Sequence, residues 1–263
     1  MDIDYLQVSV FTSVPGRGNP AAFCELAAWP SDDELFALSR RIGLPVTSCA
    51  VRDRDELELR WLTKEGGYVR SMCGHGTLAA AYGVFRERPE LDRFSFKTRG
   101  GAVPVIREGE RFSMTLPRWE AKAINTLPGL AAALGHAPRR MLVGGRDILA
   151  VYDSEDEVRA LDPDMQALLQ FGKRGIIATA PGRDYDCVSR FFCPSFGIGT
   201  DEDPVTGSAH CSIAPYWVKE LGKTELRAYQ ASPIGGDLSC TLLDDGVAIA
   251  ANVVLWRESV VSF

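Results

Sequence analysis

Over residues 1–12 apolar and polar side chains alternate, with Ile3, Tyr5, Val8 and Val10 on the apolar positions. That period of two predicts a strand with one buried face. The stretch 15–22, PGRGNPAA, breaks the alternation and predicts a loop, because Gly and Pro supply turn geometry and few ladder donors. Ser31-Asp32-Asp33-Glu34 predicts a helix start, with Ser31 as N-cap and acids in the first turn. Leu35, Leu38 and Ile42 then recur at helical spacing up to Gly43. Residues 47–52, 56–63, 94–98 and 102–107 read as further strands.

The stretch MCGHGTLAAAYGVFRER is different in kind. Gly74 and Gly76 open it, and residues 78–85 are small or apolar. A helix apolar almost all round is a buried central helix, and its start falls at Gly74-His75-Gly76-Thr77. The second half repeats the plan: TGSAHCSIAPYWVKELGK opens at Gly207-Ser208 and ends at Gly222. LRAYQASPIGGDLSCTLL then follows as strand, Gly-Gly turn and strand, as FSFKTRGGAVPVI does in the first half. Gly100 lies 26 residues after Gly74, and Gly235 lies 28 after Gly207. Agreement of order and spacing predicts two homologous lobes. The joint falls near 124–128, giving an N-terminal lobe 1–123, rejoined by the C-terminal strand near 252–263, and a C-terminal lobe 124–251. Residues 127–134 and 155–169 read as peripheral helices, the second broken at Pro163. Residues 175–180 read as a buried strand and 247–256 as one long strand or two.

The chain has 263 residues, 35 acidic against 29 basic, for a formal net charge of −6. Hydrophobic residues at 46% and charged residues at 24% are values of a soluble globular chain. The mildly acidic balance, without a basic block, argues against nucleic acid as partner. No apolar run reaches the roughly 18–20 residues of a membrane span. The N-terminus, MDIDYLQVSVF, carries acids where a secretory signal carries bases, so a soluble cytoplasmic protein is expected. Seven cysteines are scattered without a CxxC pair, and the three histidines show no HxxxH spacing. Reduced, buried thiols are expected, with neither a disulfide frame nor a metal site.

The two glycine-led helix starts carry the chemistry. The first four N–H groups of a helix lack internal partners, and the macrodipole places about half a positive charge there. Such an end accepts a carboxylate, phosphate or enolate oxygen. Two lobes facing each other through these ends would hold an acid from both sides, which suits proton transfer at a carbon next to a carboxylate.

TDEDPVTGSAHCSIAPYWVKELGK with QASPIGG downstream, MCGHGTLAAAYGVF, and GNPAAF near the start together resemble the phenazine-biosynthesis isomerase (PhzF-like) family, which shares its fold with diaminopimelate epimerase. The resemblance implies an α/β (α+β) fold of two pseudo-symmetric lobes, each a curved mixed or antiparallel sheet wrapped round a central helix. It also implies cofactor-free acid–base isomerisation of a small carboxylate in the cleft between lobes, in a homodimer. The family's functional residues fall on His75 of CGHGT and on Asp203 and Ser208 of DPVTGS. Thr206, Asn19 and the N–H groups of Gly74, Gly76, Gly207 and Ala209 complete the binding set.

Each of these residues also has a purely structural reading. His75 could be a core histidine at a helix start, Asp203 a loop acid complementing the dipole, Ser208 a cap and Asn19 a turn residue. Met72, Cys211, Tyr216 and Trp217 read as packing. His210 reads as a structural hydrogen-bonding residue.

One departure matters more than the matches. The family carries a general acid–base Glu in a stretch resembling LSETAF, and here that stretch is Leu44-Pro45-Val46-Thr47-Ser48-Cys49, with Val46 at the Glu position. The acidic position before CGH is also lost, at Tyr68 or a neighbour, and the Ala of the usual CGHAT is Gly76. Three outcomes follow. Cys73 or Asp203 takes over the proton, Cys73 being a thiol at a helix start. Alternatively, different chemistry runs on Asp203 and His75 alone, or catalysis is gone and the protein binds a metabolite. A two-thiol epimerase is disfavoured, because Cys73 matches one thiol of the epimerase relatives and Thr206 stands at the other. Cys73 can equally be a buried small hydrophobe.

Overall fold

In the computed structural model, which describes residues 2–54, 56–69, 72–196 and 200–262, the alternating start of the chain forms strand β1 (Asp2–Val10). Chain contacts define two units, Met1–Thr115 with Ala250–Phe263, and Leu116–Ile249.

In the first unit β1 ends where Phe11 takes a left-handed backbone, φ 66°. The N–H groups of Phe11 and Thr12 there both donate to the Asn252 carbonyl. The expected loop 15–22 is shorter than its composition suggests: β2 (Asn19–Leu26) begins inside it and pairs antiparallel with β1, Val10 opposite Asn19. Pro20 is tolerated because pairing of β2 with the next strand starts only at Ala22, so the ladder there is one-sided. Helix α1 (Asp32–Ile42) has the full capping box, Ser31 accepting from the Glu34 N–H and Glu34 from the Ser31 N–H, and ends at Gly43 in the left-handed region. β3 (Val46–Asp53) runs parallel to β2 and antiparallel to β4 (Glu56–Thr63). The short β5 (Gly67–Tyr68) pairs with the end of β4.

Helix α2 (Gly74–Glu87) is the buried helix of this unit and packs against β1, β2 and β3. Leu78, Ala79, Ala80, Ala81 and Val84 are fully buried. The run of small residues has a direct cause: a Cβ on Gly83 would stand 2.1 Å from Phe23 Cδ1, so helix and strand meet at a distance only glycine permits. β6 (Arg93–Thr98), β7 (Gly101–Glu108) and β8 (Arg111–Pro117) follow, β6 parallel to β4 and the three antiparallel to one another in sequence.

The second unit opens with β9 (Lys122–Ala123) and α3 (Leu130–Leu134). The hairpin of β10 (Arg140–Gly144) and β11 (Asp147–Val151) was not visible in the hydrophobic pattern. The peripheral helical stretch is split as expected around Pro163 into α4 (Glu155–Ala160) and α5 (Met165–Leu168). β12 (Ile176–Pro181) runs parallel to β11 and antiparallel to β13 (Cys187–Phe192), a strand buried at every residue. β14 (Glu202–Asp203) pairs with β13. Helix α6 (His210–Leu221) is buried from His210 to Val218 and packs on β15 (Glu225–Gln230) and β16 (Gly236–Leu242). Each unit therefore holds a buried helix followed by a strand, a glycine turn and an antiparallel strand.

The last strand, β17 (Gly246–Ser262), is longer than its apolar run. It pairs antiparallel along the whole of β1, with a register shift between Gln7 and Val8. All seven cysteines are buried thiols. Among the described residues no helix is long and apolar enough to cross a membrane.

Candidate active site

The two helix starts are built alike. Cys73, which precedes α2, has φ −113° and ψ 98°; Thr206, which precedes the second start, has φ −114° and ψ 99°. Neither side chain caps its helix, so the first N–H groups are left for other acceptors. The second start differs in one respect: Gly207–Ala209 form a 3-10 turn before α6 begins at His210. Ser208 lies inside that turn, half-buried, and the capping reading of Ser208 is therefore not met.

At the first start Thr77 binds the Cys73 carbonyl twice, through its N–H at 2.9 Å and its hydroxyl at 2.8 Å. Gly74 and Gly76 are buried, and His75 between them is half-buried. His75 Nδ1 lies 3.8 Å from Cys73 Sγ. His75 Nε2 is shielded from solvent and has no hydrogen-bond partner within the chain. Burial lowers the His75 pKa to about 4, so the ring is neutral at pH 7. Strand β3 meets this turn directly. Ser48 Oγ donates to the Gly76 carbonyl at 2.8 Å. A Cβ on Gly76 would stand 2.9 Å from Val46 Cγ1, 2.9 Å from Ser48 Oγ and 2.8 Å from Trp61 Cδ1. Val46 thus lies against the first turn of α2. Asn19 opens β2 and is fully buried.

At the second start Asp203, in β14, is 8% exposed, and Thr206 Oγ1 lies 2.6 Å from its Oδ2. Gln230, at the end of β15 and fully buried, accepts from the Thr206 N–H at 2.9 Å. Its Nε2 donates to the Asp203 carbonyl at 2.7 Å and to Thr206 Oγ1 at 3.2 Å. Ser232 Oγ donates to the Pro204 carbonyl at 2.7 Å. His210 Nδ1 lies 2.9 Å from the Thr206 carbonyl, and because a carbonyl only accepts, Nδ1 carries the proton. Burial is the main cause lowering the His210 pKa to about 4, so it too is neutral. The structural assignment of His210 is met.

His75, Cys73, Gly74 and Gly76 are thus gathered with Val46, Ser48 and Trp61 in the first unit. Asp203, Thr206, Gly207, Ser208 and Ala209 are gathered with Gln230 and Ser232 in the second. Sequence reasoning passed over Ser48, Trp61, Gln230 and Ser232. The last two belong to the quoted QASPIGG motif, so the signal was present without a role attached. Among the described residues no group of three His, Cys, Asp or Glu side chains is arranged to hold a metal.

Comparison with known proteins matches residues 8–254 to the family model described as phenazine biosynthesis-like protein. An uncharacterized isomerase of Pseudomonas aeruginosa is 40% identical over 256 residues, 97% of each chain. The crystal structure of a PhzF-family phenazine biosynthesis protein from Enterococcus faecalis superposes with TM-score 0.94 at 33% identity, covering 100% of both chains. A hydroxyproline epimerase from Agrobacterium vitis, with bound trans-4-hydroxy-L-proline, gives TM-score 0.59 at 12% identity over 99% of this chain and 92% of that one, a likeness of fold alone.

Proposed function

The chain belongs to the phenazine biosynthesis-like (PhzF) family, and on that premise we propose that it is a cofactor-independent isomerase that moves a proton, or shifts a double bond, on a small carboxylic acid. The observation that carries this reading is the matched pair of buried helix starts after Cys73 and Thr206, both with side-chain caps absent. Uncapped N–H groups at a helix end stabilise a carboxylate or the enolate that develops during proton removal. In this reading Gly74, Gly76, Gly207, Ser208 and Ala209 bind the acid, with Asn19 at the edge of the set. Asp203 carries the proton, as the one carboxylate at either helix start that matches the family motif. His75, neutral at pH 7, donates a hydrogen bond or relays the proton rather than contributing charge. The protein is read as cytoplasmic from its acidic N-terminal stretch, and as a homodimer from the family resemblance.

Val46 supports a second reading, in which the protein binds such an acid without turning it over. An apolar side chain lies against the first turn of α2 where the family's LSETAF stretch carries Glu, and valine moves no proton. Thr206 argues against a third, the two-thiol epimerase, since a hydroxyl is no matched base to the Cys73 thiol.

The test is proton exchange. Small carboxylates are incubated with the protein in D₂O and followed by NMR for enzyme-dependent deuterium incorporation, with Asp203→Asn alongside. Exchange by the wild type that Asp203→Asn abolishes supports the isomerase. Saturable binding without exchange across the panel leaves the binding reading in its place. Exchange that survives Asp203→Asn removes Asp203 from the mechanism.

A further inference from the structure

The side chain of Gln230 makes three hydrogen bonds, all to the turn that carries Asp203. Its Oε1 accepts from the Thr206 N–H at 2.9 Å, and its Nε2 donates to the Asp203 carbonyl at 2.7 Å and to Thr206 Oγ1 at 3.2 Å. The orientation of this amide is determined by its neighbours. Flipped, it would set an NH₂ group against the Thr206 N–H and an oxygen against the Asp203 carbonyl, two repulsive pairs in a fully buried position.

The polarity then runs in one direction. Thr206 Oγ1 already accepts from Gln230, so its own proton is directed to the carboxylate oxygen Asp203 Oδ2, 2.6 Å away. The remaining polar group of Thr206, its carbonyl, accepts from His210 Nδ1 at 2.9 Å. A second brace lies beside the first. Ser232 Oγ donates to the Pro204 carbonyl at 2.7 Å and accepts from the Gly235 N–H at 3.0 Å. The sequence QASPIGG is therefore a scaffold for the sequence DPVTG, reached across 24 to 28 residues of chain.

We infer that Gln230 is a positioning residue that sets the direction of the Thr206 hydroxyl, and that Thr206 in turn holds the Asp203 carboxylate in one orientation for proton transfer. This assigns Thr206 to Asp203 rather than to the ligand, and it rests on the reading of Asp203 as the proton carrier. The chemical reason is geometric. A carboxylate exchanging a proton with carbon must present one oxygen at the reacting atom, and a carboxylate free to rotate does so for only part of the time. Holding Oδ2 with a charge-assisted hydrogen bond removes that freedom, and the amide behind it removes the freedom of the hydroxyl. Gln230 touches neither the ligand nor the reacting atoms in this scheme.

The experiment has two readouts, so the brace and the catalytic reading fail separately. The first is amide hydrogen exchange of the folded protein, independent of any substrate. Gln230→Met keeps the length of the side chain and removes all three bonds. Protection of the Thr206 amide is expected to drop by about a hundredfold while amides of α6 beyond Ile213 stay within about threefold. Unchanged protection at Thr206 overturns the brace. The second is the kcat and KM of deuterium incorporation on the carboxylate that the wild type exchanges fastest. Thr206→Val and Gln230→Met are expected to lower kcat by about tenfold or more with KM within about twofold, and Thr206→Ser to keep at least about a third of wild-type kcat. A rise in KM with kcat unchanged returns Thr206 to the ligand-binding set and overturns the inference. A wild type without exchange on any carboxylate defeats the proposed isomerase, and amide protection still decides the brace. If Gln230→Met does not fold, Gln230→Glu keeps the acceptor for the Thr206 N–H but loses both donated bonds. It is then expected to lose kcat while keeping Thr206 amide protection, and wild-type kcat in it overturns the inference.

Discussion

Val46 and Gly76 are fitted to one another. The valine's Cγ1 lies where a Cβ at position 76 would have only 2.9 Å of room, and Trp61 Cδ1 at 2.8 Å and Ser48 Oγ at 2.9 Å close the same space. The strand presents an apolar side chain here and the helix presents none. Gly76→Ala forces a shift of the Trp61 ring, of β-branched Val46 and of the Ser48 hydroxyl, which is held by its hydrogen bond to the Gly76 carbonyl. A loss of about 1–3 kcal/mol in urea unfolding is expected, the cost of overpacking a well-filled site. Full stability for Gly76→Ala would mean the turn yields easily and the fit is incidental.

Val46→Glu asks whether the site lacks only its base. The new carboxylate would lie against the positive end of α2, where helix N–H groups and the macrodipole favour a negative charge. General acid–base catalysis contributes typically about 10²–10⁴-fold, so deuterium incorporation on a carboxylate already turned over is expected to rise by at least about tenfold. A Val46→Glu protein that folds, binds the acid and exchanges no faster would show that proton transfer here uses another geometry.

His75 and His210 make the fold sensitive to acid. Burial lowers both pKa values to about 4 in the folded protein, from an ordinary 6.5. Between those values the unfolded chain binds a proton that the folded one does not, so stability falls as pH drops through the window from about 6.5 to about 4. Above it both states hold neutral rings and these two groups contribute no slope. Each histidine adds at most about 1.4 kcal/mol per pH unit inside the window. Urea unfolding at pH 7.5, 6.5 and 5.5 measures the slope, and His75→Asn and His210→Asn are each expected to reduce it. A slope unchanged in both variants would exclude them as its source.

The elements that the sequence announced are those with an amphipathic or capped signature. Helix α1 is framed by Ser31 and Gly43, β4 alternates, α2 opens on glycines and carries a run of small residues, and α6 follows a glycine turn. Two of the strands that escaped are buried on both faces: β11 and β13 are buried at every residue, so no period of two survives to be read. The loop expected at 15–22 failed for a different reason, because Asn19 and Pro20 are turn formers held in a strand by β1. The helix starts of the site were legible because glycine and the motif lie together in sequence. The Gln230 brace was not, since its partners lie 24 to 27 residues away, and it takes the pairing of both β14 and β15 with β13 to set them side by side.

Asp203 has a further support on the opposite side of its strand. Its neighbour Glu202 holds Arg190 in a two-pronged ion pair, Nε to Oε1 and Nη2 to Oε2 both at 2.8 Å, with the side chains only 14% and 10% exposed. Arg190 Nη1 also donates to the Leu161 carbonyl at 2.6 Å, which fixes the guanidinium independently of the acid. Removing the acid therefore leaves a nearly buried charge that cannot swing out to water, the arrangement in which breaking an ion pair is costly. Glu202→Ala is expected to destabilise the protein by about 3 kcal/mol in urea unfolding, more than the roughly 0–1 kcal/mol of an exposed pair. Glu202→Gln keeps an acceptor for one prong and is expected to lie between the two. Because β14 is only two residues long and joins β13 through Phe191 opposite Asp203 and Phe192 opposite Glu202, loosening Glu202 also loosens the catalytic candidate beside it. Deuterium incorporation by folded Glu202→Ala should therefore fall in kcat as well. A variant with wild-type kcat and reduced stability would separate the two roles and leave the ion pair a purely structural one.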